Sequence, residues 1–135
     1  NKQLRRNESY GTSAQKIYSY GCENFGWKPE KAVGIGRGTP MFAGDATPRG
    51  YSVWFLVYTN LSGTGNANWS NEIIGDKILE HWSKIPDRDY FNDKSDRLTF
   101  AKINNEYVFL GLYAYDSTKG NVKTYRRIAD IYFAK

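Results

Sequence analysis

Trp69-Ser70-Asn71 is the group of residues best suited to hold a ligand, because an indole ring is followed by a hydroxyl and an amide. A planar heterocycle can stack on such a ring while the amide reads its edge through hydrogen bonds. The same group can also anchor a loop, since residues 61–68 before it are rich in Gly, Asn, Thr and Ser. Both a base-binding role and a purely structural role therefore remain open for Trp69.

Arginine side chains form a second candidate feature, because guanidinium groups bind phosphate oxygens well. Tyr125-Arg126-Arg127, in a predicted C-terminal strand, places an aromatic ring and a guanidinium on one face and a second guanidinium on the other. Arginines on an edge strand also prevent aggregation, which is the alternative explanation. Residues 34–50 are rich in Gly and Pro and predict a long cationic loop. The predicted phosphate-binding residues are Arg37, Arg49, Arg97, Arg126 and Arg127, to which Arg5, Arg6 and Lys123 could add.

Catalytic and metal-binding patterns are missing from the sequence. One His and one Cys are too few for a Cys/His zinc site, and no acidic residues occur at calcium-loop spacing. No Lys follows an Asp or Glu by two positions, so the acid-spacer-lysine core of many metal nucleases is absent. A hydrolase built on His81 is conceivable, but no spacing selects its partners. The sequence therefore predicts no enzyme activity, no metal site and no cofactor.

The composition describes an aromatic, moderately basic chain of 135 residues with four Trp, eleven Tyr, seven Phe and a net charge of +5. This charge is compatible with nucleic-acid binding but also occurs in ordinary proteins. A single Cys excludes an internal disulfide, which fits a reducing compartment and predicts a cytoplasmic protein. No run approaches the ~20 apolar residues of a membrane span, so no membrane association is expected. The length predicts one domain, residues 1–135, with a polar and frayed segment at 1–9.

The first half of the chain predicts a helix, a long loop and a strand. Residues 12–25 repeat apolar side chains at helical spacing, with Thr12 or Ser13 as the cap and Gly26 as the end signal. A short strand is predicted at 41–43 within the loop, and residues 51–58 predict an interior strand that is apolar on both faces. Residues 69–85 fit either a helix or a hairpin about Gly75-Asp76. The hairpin is favoured because Gly would otherwise lie in the middle of a helix.

The last forty residues predict a three-stranded meander of 97–103, 107–115 and 122–133, with turns at 104–105 and 116–121. The middle strand alternates strongly. One face would carry Val108, Leu110, Leu112 and Ala114, and the other would carry Gly111 and the aromatic residues Tyr107, Phe109, Tyr113 and Tyr115. The aromatic face must either be covered by a second layer or be used to bind a ligand.

The order of these motifs resembles a known group of modules. Gly50-Tyr-Ser-Val-Trp-Phe-Leu, Trp69-Ser-Asn, Arg97-Leu-Thr-Phe, Phe109-Leu-Gly-Leu-Tyr113 and Tyr125-Arg-Arg-Ile128 look like the strands of small PUA-like and SRA-like modules. These modules accompany bacterial modification-dependent restriction endonucleases. The similarity covers about residues 33–133. It implies an α+β fold, a mostly antiparallel curved sheet or barrel with one or two helices.

The resemblance also implies a function. The concave face of such a sheet would accept a modified base flipped out of duplex DNA, with an aromatic pair around the base and an amide at its edge. The base-binding residues would be Trp69, Ser70 and Asn71, with Trp54, Tyr58 or Trp82 as the second aromatic. The nuclease would lie in a separate domain of the full-length chain. The expected function is thus non-catalytic DNA binding, and the alternative is a protein-interaction or inhibitor module with an exposed aromatic surface.

Overall fold

A computed structural model describes residues 2–32, 41–42, 46–56, 69–82 and 94–133, with the side chains of Ala32, Met41, Phe42 and Trp69 outside the description. The fold is α+β, as predicted: strands dominate, and the main sheet curls into a half-barrel. Its elements are β1 (Gln3–Arg5), α1 (Ala14–Phe25), a 3₁₀ turn (Pro29–Ala32), β2 (Met41–Phe42), β3 (Ser52–Leu56), β4 (Trp69–Ile74), β5 (Lys77–Trp82), β6 (Arg97–Ile103), β7 (Glu106–Lys119), β8 (Val122–Ala129) and β9 (Ile131–Phe133).

The main sheet contains seven strands in the order β2-β3-β6-β7-β8-β5-β4. All neighbours are antiparallel except β3 and β6, which run parallel. The predicted meander is confirmed as β6, β7 and β8, although β7 continues to Lys119 and Asp130 separates β8 from β9. In sequence, β4 and β5 come between β3 and β6. In the sheet, however, β3 pairs directly with β6, and β4 and β5 lie at the opposite edge from β2.

The helix begins and ends where the sequence predicts. Ser13 is the N-cap, and its hydroxyl accepts a hydrogen bond from the backbone N–H of Lys16 at 3.3 Å. Gly26 ends the helix in the left-handed conformation. Gly21, which weakens the helical pattern, is explained by packing: a Cβ at this position would lie 1.9 Å from Cε3 of Trp27.

Residues 69–82 form the predicted hairpin rather than a helix. β4 and β5 pair from Trp69 opposite Trp82 to Ile74 opposite Lys77. Gly75 opens the turn with a φ of 59°, a conformation that glycine adopts without strain. The second tight turn uses Asn104 and Asn105, which also have positive φ and join β6 to β7.

The two faces of the main sheet carry separate apolar clusters. The helix-side core joins α1 and the β1–β9 pair to the sheet through residues that include Ile17, Trp27, Phe55, Phe100 and Tyr132. The inner face carries the second cluster, which contains Trp54, Leu56, Ile78, Ala101, Leu110, Tyr113 and Tyr125. The sheet is therefore buried on both sides.

The prediction of one aromatic face on β7 is wrong, because a bulge interrupts the alternation. Thr99 pairs with Gly111 whereas Phe100 pairs with Phe109, so Leu110 is an extra residue on β7. As a result, Phe109 packs in the helix-side core while Tyr113 packs on the inner face. The aromatic residues of β7 are divided between the two clusters.

The expectation that residues 1–9 are frayed is also corrected. Gln3–Arg5 form β1, which pairs with β9 in a separate two-stranded sheet, and Leu4 is fully buried. A strand of three residues is too short to show a periodic pattern. Its partner lies at the other end of the sequence, so no local signal marks the pairing.

Candidate functional site

Arg97 is buried between two aromatic rings on the inner face. It begins β6 and shares a face with Thr99 and Ala101, so its side chain points into the curl and is 1% exposed. The guanidinium carbon lies 4.5 Å from the ring centre of Trp54 and 4.1 Å from that of Tyr125. Cation–π contacts of this kind are strongest where water is excluded, at about 2 kcal/mol or more.

The anionic partner of Arg97 is Glu80, whose Oε2 lies 3.8 Å from Nη1. Both side chains are buried. In a flat sheet, β6 and β5 would be about 14 Å apart because two strands lie between them. The ion pair therefore spans the inside of the half-barrel, and this contact depends on the curl.

Arg97 retains unused hydrogen-bonding capacity. Its Nε and Nη1 have no hydrogen-bond partner among the described residues, and the 3.8 Å approach of Glu80 is too long for a hydrogen bond. A buried donor without a partner costs about 1–3 kcal/mol. Such groups in a native protein call for an explanation, and a bound ligand is one.

Two further polar side chains lie beside Glu80 across the strands. In register, Glu80 is opposite Asn71 on β4 and opposite Lys123 on β8. Lys123 is 1% exposed, and its Nζ lies 5.4 Å from the ring centre of Tyr125. We call these residues the Arg97 cluster: Arg97, Glu80, Lys123, Asn71, Trp54 and Tyr125. The cluster holds two cations and one carboxylate in a nearly water-free environment.

The beginning of β6, which positions Arg97, is fixed against β3 by polar contacts. The backbone N–H of Ser52 donates to the carbonyl of Asp96 at 2.8 Å, and the hydroxyls of Ser52 and Ser95 are 2.5 Å apart. Burial raises the pKa of the Asp96 carboxyl above its usual value. The parallel pairing places Arg97 opposite Ser52 and Trp54 opposite Thr99, so Trp54 and Arg97 are diagonal neighbours on the inner face.

Three of the predicted base-binding residues meet on the inner face. Trp54, Asn71 and Trp82 are all buried there. Ser70 instead points to the other side of the hairpin and is half-buried. The backbone of Trp69 pairs with that of Trp82, but the side chain of Trp69 is outside the description. Tyr58 also lies outside the described residues. Trp54 lies opposite Tyr125 across the Arg97 guanidinium, and Tyr125 was not one of the predicted base-binding residues.

The predicted phosphate-binding arginines are dispersed. Arg97 is interior, whereas Arg126 is exposed and Arg127 is paired with Asp130 at 3.1 Å. Arg49 is exposed, donates to the carbonyl of Phe133 at 2.8 Å and lies over the rings of Tyr51 and Tyr132. Arg37 is outside the described residues. No single stripe joins the described members of this group, because Arg97 lies inside the curl.

From the sequence, Glu80 was expected at a solvated strand edge with Glu72 and Asp76, and Lys123 was expected to join the phosphate-binding residues. A signal for Glu80 was present in β5, where Ile78, Glu80 and Trp82 alternate on one face. A carboxylate between two large apolar side chains on an inward face is expected to be buried. Lys123 precedes Tyr125 on the inward face of β8, and its burial follows from the same alternation.

The hairpin carries His81 on its outward side, where Nε2 lies 3.1 Å from Oε1 of Glu72 and both side chains are largely exposed. Within the described residues, no group of three or more His, Cys, Asp and Glu side chains could hold a metal ion. None of the helices in the described ranges is long and apolar enough to cross a membrane.

Comparison of the chain with protein-family models, curated proteins and solved structures finds no match in any of the three. The resemblance to PUA-like and SRA-like modules therefore stays a prediction, and the function has to be argued from the Arg97 cluster.

Proposed function

We propose that this chain is a DNA-binding module of the PUA-like or SRA-like type, without catalysis of its own, which recognises a modified base on the inner face of its curled sheet. The observation that carries the proposal is the buried guanidinium of Arg97, with Nε and Nη1 unpaired among the described residues. Arginine is the side chain that most often reads the acceptor atoms of a base edge.

The side chains around Arg97 supply the other contacts that a base needs. Trp54 and Tyr125 offer aromatic surface, and Asn71 offers a buried amide on the same inner face. Aromatic stacking contributes about 1–3 kcal/mol per base in proteins that bind single bases. A flipped base would thus be held by its ring and selected at its edge.

Phosphate contacts would come from exposed cations. Arg126 is exposed on β8 and, being next to Tyr125 in the strand, points to the opposite face of the sheet. Each phosphate neutralised by a protein cation makes affinity fall as salt rises. In the cell, the module would direct a cytoplasmic nuclease domain of a restriction system to modified DNA.

The test is an electrophoretic mobility shift with matched duplexes that carry unmodified, methyl-, hydroxymethyl-, carboxy- or glucosylated cytosine, at two salt concentrations. We expect salt-sensitive binding with preference for one modified duplex. Arg126→Gln should weaken binding to all duplexes alike, whereas Glu23→Gln, an exposed change on α1, should leave binding within about twofold. Absence of a shift with every duplex would refute the proposal.

A protein-interaction role is the second candidate, and one observation favours it. Ile131 and Phe133 are 40% and 48% exposed on the outward face of β9, because Tyr132 between them points inward. Exposed large apolar side chains in proximity are typical of interaction surfaces. An Ile131→Lys variant that loses a partner but retains DNA binding would assign this face to that role.

A further inference from the structure

We infer that the inner face of the sheet binds a whole nucleotide, and that Arg127 holds the 5′-phosphate of the nucleotide whose base lies at Arg97. The inference rests on the proposed function, which places the base at the Arg97 cluster. It goes further by naming the ligand class, a nucleoside monophosphate that is either free or a unit of DNA, and the side chain that binds its phosphate.

Arg127 lies on the same face of the sheet as Arg97. Arg97 on β6 is opposite Tyr113 on β7, and Tyr113 is in turn opposite Arg127 on β8. Directly opposed residues of paired strands point to the same side, and Tyr113 belongs to the cluster on the inner face. Arg126, one position earlier in the strand, is exposed and points to the other side. Of these two neighbouring arginines, therefore, Arg127 is the one that reaches a ligand on the inner face.

The positions of Arg97 and Arg127 suit the two ends of a nucleotide. One strand lies between β6 and β8, so the backbones of the two arginines are about 10 Å apart in the sheet. Arg97 is 1% exposed, whereas the side chain of Arg127 is 19% exposed. A phosphate loses less of its hydration at a partly exposed arginine than at a buried one. The interior arginine therefore suits the uncharged base, and the partly exposed arginine suits the phosphate.

Gly111 lets the stem of the Arg127 side chain lie directly on β7. A Cβ at Gly111 would be 2.9 Å from Cδ of Arg127 and 3.1 Å from Cγ, so the stem occupies the space in which another side chain would begin. Gly111 is opposite Thr99, which shares the inward side of β6 with Arg97. The stem is thus positioned over the inner face before a ligand arrives, which reduces the entropy lost on binding.

The guanidinium of Arg127 keeps two amino groups available for an anion. Its Nε lies 3.1 Å from Oδ1 of Asp130, and no other ion pair or hydrogen bond of this guanidinium occurs in the described part of the chain. The amino groups at Nη1 and Nη2 can together bind two oxygens of one phosphate. Asp130 is 64% exposed, and ion pairs of this kind contribute little to stability. The pair therefore serves to orient Arg127 more than to stabilise the fold.

The experiment is isothermal titration calorimetry of the folded full chain with free probes. The probes are deoxycytidine, 5-methyldeoxycytidine and 5-hydroxymethyldeoxycytidine, each with and without a 5′-phosphate, and inorganic phosphate. We expect at least one monophosphate to bind at least about tenfold tighter than its nucleoside and than inorganic phosphate, because it alone makes both sets of contacts. Arg127→Gln should remove the difference between this monophosphate and its nucleoside, whereas the matched control Arg126→Gln should preserve it.

A second variant tests the charge at the site while Arg127 stays in place. Asp130→Asn keeps an oxygen that accepts a hydrogen bond from Nε but removes a negative charge close to the phosphate. The monophosphate should therefore bind several-fold tighter, and the nucleoside should bind as it does to the parent. If the two residues had only a structural role, both ligands would bind this variant with the parent's affinities.

Three results would overturn the inference. One is equal affinity for every monophosphate and its nucleoside, including the case in which none of them binds. Another is a monophosphate that binds no tighter than inorganic phosphate. The third is monophosphate binding that stays unchanged in both Arg127→Gln and Asp130→Asn.

The duplex experiment separates this inference from the proposed function. Monophosphate binding that depends on Arg127, without binding to any duplex, would refute the DNA proposal and leave the nucleotide site standing. Duplex binding that is as strong in Arg127→Gln as in the parent, with monophosphates and nucleosides bound alike, would support the DNA proposal and contradict the nucleotide site. Loss of both monophosphate and duplex affinity in Arg127→Gln is the result that both require.

Discussion

Arg97 and Glu80 approach each other to 3.8 Å although β7 and β8 lie between their strands in the sheet. The curl brings opposite charges together across the interior, where both are shielded from water. This ion pair fixes the distance between two distant strands of the half-barrel. Its energetic role can be measured separately from any ligand.

Removing one partner of this ion pair should be strongly destabilising. Glu80→Leu leaves the buried Arg97 without its anion and should lower the free energy of unfolding by about 3–5 kcal/mol. The double variant Arg97→Met/Glu80→Leu replaces both charges with apolar groups and should recover most of the loss. Urea denaturation followed by circular dichroism measures both. Losses that simply add in the double variant would show that the two residues are not coupled.

Gly21 should resist replacement by the best helix-forming residue. In an ordinary helix interior, Gly→Ala stabilises by about 1 kcal/mol. Here a Cβ would lie 1.9 Å from the Trp27 indole, so Gly21→Ala should instead destabilise by about 1–3 kcal/mol. Thermal unfolding measures the sign. Ser19→Ala, an exposed change on the same helix, is the control and should stay within about 0.5 kcal/mol of the parent or stabilise it.

The sequence predicted local structure well where a residue has an unusual backbone requirement. Ser13 and Gly26 mark the ends of α1, and Gly75 marks the hairpin turn, because caps and positive-φ turns restrict the residue type directly. The bulge at Leu110 was not predictable, since an extra residue in a strand leaves no mark in an alternating pattern. Because of that one residue, the side chains of β7 on the two sides of Leu110 follow opposite alternation, and the expected single aromatic face does not form.

The candidate site was predicted in part. Trp54, Asn71 and Trp82, which the resemblance named among its candidates, lie with Arg97 on the inner face, and their role in base binding stays a prediction. The interior position of Arg97 was missed because arginine at the start of a strand is usually at the surface. Its burial results from the curl of the sheet and from the Glu80 carboxylate three strands away. Neither is a local property of the sequence.

Leu4 should contribute to stability as a core residue. It is fully buried in the helix-side core, so Leu4→Ala should cost about 2–5 kcal/mol. Arg5→Ala, at the adjacent exposed position, should change the free energy of unfolding by less than about 0.5 kcal/mol. Chemical denaturation of both variants provides the comparison. If the two changes had equally small effects, the β1–β9 pairing would not exist in solution.

Asp96 should make stability depend on pH. Burial raises the pKa of its carboxyl, so the folded protein binds the proton more tightly than the unfolded chain. The tighter proton binding stabilises the folded state fully at a pH below the pKa that the Asp96 carboxyl has in the unfolded chain. This stabilisation is lost as the pH rises through the higher pKa of the same carboxyl in the folded protein. Asp96→Asn removes the ionised group, so it should raise the melting temperature at pH 7 relative to the parent.

The pH series supplies the control for Asp96. At pH 3, where the parent carboxyl is protonated in both states, Asp96→Asn and the parent should melt within about one degree of each other. Asp116→Asn, at an exposed position on β7, should show no difference at either pH. A melting temperature that falls in Asp96→Asn at pH 7 would contradict the expectation.

The pairing of β1 with β9 has a consequence for how the chain folds during translation. Gln3 is synthesised 130 residues before its partner Phe133, at a rate of about 5–20 residues per second. For several seconds, therefore, the nascent chain holds Leu4 without the strand that covers it. The helix-side core is completed only after β9 has been made, and a ribosome that stalls in β8 would leave it open.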